Sequence, residues 1–301
     1  MATSGHALFD RRCRVTIAVP IDSKKDFKSV TRDVIEIDGG SVGAADVVGM
    51  RVQFRIAKTL KKEPNSSEIV ISNLSPARRS SLQKIGVQLL LEAGYKDTGV
   101  SRYFSGDVRT VDHVRNDANW DTTMKLGDGS RAWRFARVNE SFAPGANKGD
   151  VLKTLAEAMG LDLGNVASQA SGLSGTFDQG FAAVGSAGRA IDMVVQSLGK
   201  EWSVQDGKIQ ILDPYEVLDL PIPEIGPDSG LVGSPEMGSP PKKGKPALVK
   251  FKCLLTPTKP GAKIKLKSLR YDGYVRVQAV RFTGDTHGGD WYSEIDGVLL
   301  K

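Results

Sequence analysis

The chain has 301 residues, 40% of them hydrophobic and 25% charged, a composition typical of a folded soluble protein with more than one domain. Its 41 Lys and Arg residues exceed its 35 Asp and Glu residues, and the net charge of +6 permits an anionic partner without requiring one. No apolar run approaches the roughly 18 residues of a membrane span, and residues 1–14 lack a signal-peptide core, so we expect neither membrane insertion nor standard export.

Alternating apolar residues predict a β-rich region over residues 1–142. One short helix is predicted inside it, because Ser75 suits an N-cap, Pro76 suits the first helical position, and Gly86 can end the helix. Two further strands are predicted on either side of a turn at residues 127–129. The other predicted strands lie near 12–19, 33–38, 52–56, 69–71, 87–93 and 103–111.

Residues 143–213 are predicted to form a small α+β module. Apolar residues at helical spacing predict one helix ending at Gly160 and another ending near Gly199, with a loop rich in Gly, Ser and Ala over residues 164–188 between them. The pair at residues 206–207, Asp-Gly, predicts a two-residue hairpin turn. The resulting register pairs Val204 with Ile209 and Trp202 with Ile211, so all four side chains can cover the helices.

Residues 214–301 are predicted to hold a Pro-rich crossing segment and a second β domain. The segment over 213–245 cannot form a long helix, and it is either a mobile linker or an arm that orders on assembly. Its prolines are Pro214, Pro221, Pro223, Pro227, Pro235, Pro240 and Pro241. Four antiparallel strands follow, near residues 249–255, 264–266, 274–283 and 291–299.

Lysines alternate with the apolar residues of the first two of these strands and predict one basic sheet face, which we call the lysine face. Solvent exposure is the ordinary role of such a face. Surfaces that bind nucleic acid interleave aromatic and basic side chains. Because the lysine positions lack aromatics, the sequence disfavours direct DNA or RNA binding and leaves an acidic partner open. The face comprises Lys250, Lys252, Lys263, Lys265 and Lys267.

One short segment could carry metal chemistry. Asp285, His287 and Asp290 occur close together in GDTHGGD, a spacing that could suit a divalent cation. The segment lies between two strands, where Gly, Asp and Thr are also ordinary residues of a tight polar loop. Three ligands on one loop rarely suffice without a fourth. We therefore assign no metal, no cofactor and no catalytic residue.

The remaining candidates for chemistry are weaker. Asp112 and His113 are neighbours without a nucleophile motif, and His6 is isolated. The glycine-rich residues 185–189 precede a helix but lack the Lys-Ser/Thr ending of a phosphate loop. Cys13 and Cys253 fall on apolar strand positions and are typical of buried small hydrophobic residues.

Several ordered motifs resemble the tail hub, or baseplate hub, proteins of tailed phages. GDTHGGDWYSEI carries part of this likeness, which is strongest at residues 284–292 and in GLVGSP, at residues 230–235. It extends through FRIAKTLKKEPNSSEIVISNLS, SGDVRTV and NWDTTMKLGDGS in the N-terminal region and through the order of the α+β module, and so covers nearly the whole chain.

The resemblance implies an α+β, mainly β fold with two tail-tube-like antiparallel barrels and the small module between them. It implies a homotrimeric ring that joins a six-fold tail tube to a three-fold central spike in the virion, after assembly in the host cytoplasm. Partners would be the tube or tube-initiator protein, the spike and also the tape-measure protein, with genome DNA passing through the channel without sequence-specific binding.

Two alternatives to a structural hub remain. The first is a tail-associated enzyme that degrades peptidoglycan through the module or the GDTHGGD segment, although no nucleophile or acid/base pair is assigned. The second is a single-stranded DNA-binding barrel, which would bind in a salt-sensitive way. The resemblance leaves open whether the tail is contractile, and the chain lacks an obvious lysozyme or needle segment, so a spike would be a separate chain.

Overall fold

The computed structural model describes residues 10–20, 32–39, 49–164, 173–238 and 246–300. His6, residues 165–172 of the loop predicted over 164–188, and Pro240 and Pro241 lie outside these ranges. The chain divides into two compact units. The first takes residues from 1–59, 66–126 and 217–301, and the second takes 60–65 and 127–216. The division into three domains at residues 142 and 213 stays a prediction.

The secondary structure is mainly β, as predicted. The strands are β1 (Arg11–Pro20), β2 (Arg32–Gly39), β3 (Val52–Thr59), β4 (Ser66–Ser72), β5 (Gln88–Tyr95), β6 (Gly99–Asn116), β7 (Asn119–Gly127), β8 (Arg137–Phe142), β9 (Ala146–Asn147), β10 (Asp162–Leu163), β11 (Thr176–Phe177), β12 (Phe181–Ser186), β13 (Glu201–Gln205), β14 (Lys208–Leu212), β15 (Glu224–Ile225), β16 (Leu231–Met237), β17 (Leu248–Leu254), β18 (Lys263–Lys267), β19 (Asp272–Asp285) and β20 (Trp291–Leu299). The helices are α1 (Pro76–Leu82), α2 (Ser130–Phe135), α3 (Lys148–Met159) and α4 (Ala187–Ser197). None of the helices in the described ranges has the length and hydropathy that crossing a bilayer requires.

A single 13-stranded sheet forms the first unit. Its main path runs β16-β17-β20-β19-β3-β4-β7-β6-β5-β1-β2, and β18 pairs with both β15 and β19. The N-terminal and C-terminal strands are therefore neighbours in one sheet, joined where β19 pairs antiparallel with β3.

The joining strands share one apolar core. Phe54 on β3 packs edge-on against Trp291 on β20, with 5.4 Å between ring centroids. Tyr103 on β6 packs edge-on against Phe282 on β19, at 4.7 Å. All four side chains are buried, so aromatic contacts connect strands that lie far apart in the sequence.

The four predicted C-terminal strands are confirmed as β17 to β20. Val249, Phe251 and Cys253 are buried, and Lys250 between them is exposed. This alternation follows from the period of two of a strand that has one face on the core and the other in water.

In the second unit, α3 and α4 pack on the β13–β14 hairpin, as predicted. The register pairs Val204 with Ile209 and Trp202 with Ile211. All four side chains are buried in the core that includes both helices. Asp206 and Gly207 have φ values of 54° and 75°, which two-residue hairpin turns of this kind require.

Helix α1 begins as predicted, since the Ser75 side chain accepts a hydrogen bond from the Arg78 N–H and Pro76 is the first helical residue. Gly160 ends α3 with a φ of 66°. The predicted end of α1 at Gly86 is wrong, because the C-cap is Gln83.

Two predicted elements are wrong. The loop over 164–188 contains β12, which pairs with β8 over its full length, a long-range pairing that composition does not reveal. A helix, α2, separates β7 from β8, where only a turn was predicted. Its N-cap is Gly129, which makes no side-chain capping bond, so the usual start signal is missing.

Asp128 stabilises the hairpin turn of the second unit. Its buried carboxylate accepts hydrogen bonds from the Asp206 N–H at 2.6 Å and the Gly207 N–H at 2.8 Å. Replacing Asp128 by Ala leaves both donors without this acceptor, and we expect it to lower the free energy of unfolding by about 1–3 kcal/mol. Urea denaturation measures this effect. The exposed Glu157→Ala is the matched control, and an equal loss in both variants would contradict the role of Asp128.

Candidate functional site

Residues 284–290, which we call the Asp285 loop, comprise the last two residues of β19 and the connection from β19 to β20. The Asp285 side chain is nearly buried, with 10% of it exposed. Its carboxylate accepts two hydrogen bonds from Arg51, from Nε at 3.2 Å and from Nη2 at 2.7 Å. It also accepts hydrogen bonds from Gln53 Nε2 and from the His287 N–H, both at 2.9 Å. The carboxylate of Asp285 is thus bound to Gln53 on β3 and to Arg51, the residue directly before β3.

The hydrogen-bond donors around Asp285 favour its negatively charged form. Burial raises the pKa of its carboxyl, but the hydrogen bonds from Arg51, the His287 N–H and Gln53 outweigh burial and hold the pKa at about 2. The ionised form is therefore the one that the folded protein stabilises.

This pKa predicts a specific pH dependence of stability. Because the pKa of Asp285 lies below its unfolded value of about 3.9, its contribution is complete above that value and is lost as the pH falls toward 2. We expect the difference in free energy of unfolding between the wild type and Asp285→Asn to be constant above about pH 5 and to shrink by at most about 2 kcal/mol below it. Urea titrations from pH 6 to pH 2.5 measure it. A difference that grows in acid would contradict this assignment.

Thr286 and Arg11 bind the same loop to the N-terminal strands. Thr286 Oγ1 accepts a hydrogen bond from the Val52 N–H at 2.9 Å. The Arg11 guanidinium donates to the carbonyl oxygens of Gly288, at 2.5 Å, and Gly289, at 2.9 Å. The Asp285 loop is therefore held by β1 and β3 together.

The residues predicted as a candidate metal set have other contacts. Asp285 binds Arg51 and Gln53, His287 Nδ1 lies 3.0 Å from Thr286 Oγ1, and the Asp290 carbonyl accepts a hydrogen bond from the Asp285 N–H at 2.9 Å. In the part of the chain that the structure describes, no group of three or more His, Cys, Asp or Glu side chains is arranged to hold a metal ion. The contacts of the Asp285 loop connect the end of β19 to β3 and β1.

The other candidates also have structural surroundings. His113 Nδ1 lies 3.1 Å from Thr122 Oγ1. Cys13 and Cys253 are buried on the apolar face of their strands, as predicted. Burial raises the pKa of both thiols, that of Cys253 to about 12, so neither is a thiolate at neutral pH. Ser186, within the glycine-rich residues 185–189, caps α4 by accepting from the Arg189 N–H.

The lysine face contains aromatic side chains, which corrects the sequence-based expectation. Lys252 Nζ lies 4.0 Å from the ring centroid of Tyr292, and Lys263 Nζ lies 4.1 Å from that of Tyr274. The tyrosines lie on β20 and β19, so cross-strand pairing brings them beside lysines whose own strands place no aromatic residue on that face.

Carboxylates also lie on this face. Lys265 pairs with Asp272, Lys250 pairs with Asp296 at 3.7 Å, and the neighbouring Arg281 pairs with Glu294 at 2.9 Å. Two of the five lysines, Lys250 and Lys265, are thus paired with acidic residues of the adjacent strands. These ion pairs, and not an absence of aromatics, are the argument against strong nucleic-acid binding, because they reduce the number of cations free to contact phosphates.

Comparison with known proteins identifies the fold. No family model and no curated protein sequence matches the chain. Among solved structures, a tail protein from Neisseria meningitidis superposes with a TM-score of 0.59 at 11% identity, covering 95% of this chain and 96% of that one. The 43 kDa tail protein of prophage MuSo2 from Shewanella oneidensis gives 0.61 at 8% identity, covering 95% and 98%.

A third similar structure is the c3393 protein of E. coli, described as a component of the type VI secretion system with structural similarity to the phage T4 tail proteins gp27 and gp5. It superposes with a TM-score of 0.56 at 10% identity, covering 86% of this chain and 76% of that one. The chain therefore has the fold of phage tail proteins and of a related secretion component, over nearly its whole length.

Proposed function

We propose that this chain is a structural hub subunit of a phage tail or baseplate, found in the virion. The observation that supports this best is the antiparallel pairing of β3 with β19, which places N-terminal and C-terminal β regions in one sheet. Tail proteins of the same fold cover both regions together with the module between them.

The proposed assembly is a homotrimeric ring. Each subunit would contribute two tube-like barrel domains, one from residues 1–142 and one from residues 214–301, so that three copies present six similar domains to a six-fold tube. The opposite side would present three-fold symmetry to a central spike. Duplication within the chain thereby resolves the difference in symmetry between tube and spike.

The proposed partners are the tail tube or tube-initiator protein, the central spike and the tape-measure protein. Genome DNA would pass through the central channel without sequence-specific binding. The pairing of Lys250, Lys265 and Arg281 with acidic side chains fits such passage, because strong retention of DNA needs many phosphate contacts by unpaired Lys and Arg.

A structural role without catalysis fits the geometry of the Asp285 loop, in which Asp285 is bound to Arg51 and Gln53. A peptidoglycan-degrading enzyme is the alternative, and it predicts clearing of host cell walls in a zymogram. We expect no clearing. Clearing by the wild type that is lost in His287→Ala, with folding unchanged, would replace the structural proposal by the enzymatic one.

Light scattering across a concentration series tests the ring directly. We expect a mass three times that of the 32.4 kDa chain, alone or after addition of the spike protein. A chain that remains monomeric in the presence of both tube and spike proteins would contradict the proposal.

A further inference from the structure

A large cleft opens in the first unit, away from the Asp285 loop and bordered at one end by Lys267 of the lysine face. Its volume is about 920 Å³, and more of its lining is apolar than polar. Tyr95, Tyr103 and Leu255 belong to its wall and are part of the main core. Glu224 and Asp228 also line the cleft and are exposed. The exposed Lys267 lines it too, so the cleft combines an apolar wall with two carboxylates and one ammonium group that have access to solvent.

At the rim of this cleft, the turn between β18 and β19 presents a fully exposed leucine. Leu269 has a relative exposure of 106%, the highest among the large apolar side chains described, and Arg270 beside it is exposed as well. The turn is held on both sides of these residues. The Ser268 N–H donates to the Tyr271 carbonyl at 2.8 Å, and the Tyr271 N–H donates to Ser268 Oγ at 3.1 Å.

An exposed leucine on an ordered turn loses little conformational freedom when it is buried by a partner, which is the property of a contact that stabilises an interface. Its basic neighbour, Arg270, complements the two carboxylates of the cleft, which outnumber its one lysine. The turn and the cleft therefore match in both apolar character and charge.

We propose that the Leu269–Arg270 turn of one copy docks into this cleft on the next copy. Leu269 would contact the wall formed by Tyr95 and Leu255, and Arg270 would pair with Glu224 or Asp228. The occupant is a second copy of the chain, so this inference rests on the proposed ring and specifies one of its subunit contacts.

Such a contact joins two different patches, the turn of one copy and the cleft of another. A contact between different patches is heterologous, and it builds a closed ring when the rotation between copies closes.

Sedimentation velocity of purified variants tests the contact. We expect Leu269→Asp to raise the dissociation constant of the trimer by at least about tenfold, because it removes the burial of one leucine. Val114→Asp is the matched control, since Val114 is also exposed, at 58%, and lies on the distant β6–β7 hairpin. Both variants should keep the unfolding midpoint of the wild type.

A charge exchange makes the test specific. Arg270→Glu should weaken the trimer, and combining it with Asp228→Arg or Glu224→Arg should restore it. The docking inference is wrong, and the hub proposal stands, if the wild type is a trimer and Leu269→Asp has the same trimer dissociation constant. The same conclusion follows if neither charge exchange restores the trimer. If the wild type is monomeric with its partners present, the ring itself is wrong.

Discussion

Replacing Asp285 by Ala is expected to lower the free energy of unfolding by about 2–4 kcal/mol. The change leaves Arg51, Gln53 and the His287 N–H without their shared acceptor. Removing one partner of a buried ion pair costs about 3–5 kcal/mol, and the 47% exposure of the Arg51 side chain reduces that loss. Urea denaturation followed by intrinsic Trp fluorescence measures it at neutral pH.

Asp38→Ala is the control for this prediction. Asp38 lies 3.7 Å from Arg14, and its side chain is 84% exposed. An ion pair of this kind contributes between about 0 and 1 kcal/mol. If Asp285→Ala destabilises the protein no more than Asp38→Ala does, the Asp285 loop does not hold the joined strands together.

Replacing Trp291 by Ala should cost about 3–5 kcal/mol of unfolding free energy. Trp291 is 1% exposed, packs edge-on against Phe54, and lies 5.5 Å from the Arg11 guanidinium. Its removal opens a cavity at the place where β20, β19 and β3 meet, and the surrounding sheet is held by hydrogen bonds that limit its collapse into the space. Chemical denaturation of the purified variant provides the measurement.

Two further variants test whether the loss of unfolding free energy in Trp291→Ala comes from the buried packing of the indole. Trp291→Phe keeps an aromatic ring and removes an indole N–H that has no hydrogen-bond partner among the described residues, so we expect it to cost clearly less than the Ala variant. Trp120→Ala removes an indole that is 38% exposed and should also cost less. Equal losses in Trp291→Ala and Trp120→Ala would show that burial does not set the effect.

Much of the fold follows from local patterns in the sequence. The alternation around Phe251 predicts β17, and the Asp206-Gly207 turn predicts the pairing of Trp202 with Ile211. Ser75 predicts the start of α1. In each case the physical cause lies within a few residues of the feature, so a short stretch of sequence contains the information.

The errors arise where the cause lies elsewhere in the chain. β12 exists because β8 supplies its hydrogen bonds, and a stretch rich in Gly and Ala such as residues 181–186 has no strong strand pattern of its own. The turn at residues 127–129 leads into α2 without a side-chain cap, and the buried contact of Asp128 with the distant Asp206 turn is absent from the local sequence.

The same distinction applies to the Asp285 loop. The sequence singles out Asp285 and His287 by their chemistry, but the partners that determine their role are Arg51, Gln53 and Arg11, which precede them by more than 200 residues. An aspartate beside an arginine is one acceptor in a structural contact, whereas a site for a hard divalent cation needs several oxygen ligands around one point. Only the fold distinguishes the two.

The pairing of β3 with β19 also determines when the protein can fold. Arg51 and Asp285 are 234 residues apart, and at about 5–20 residues per second a ribosome needs roughly 10 to 50 seconds to make the intervening chain. During that time β3 has been translated but β19 has not, so the edge of β3 that pairs with β19, including Phe54, stays unpaired and exposed to solvent. Such an edge invites pairing with other nascent chains. Slower growth at low temperature, or coexpression with a chaperone that shields the edge, should therefore raise the soluble yield.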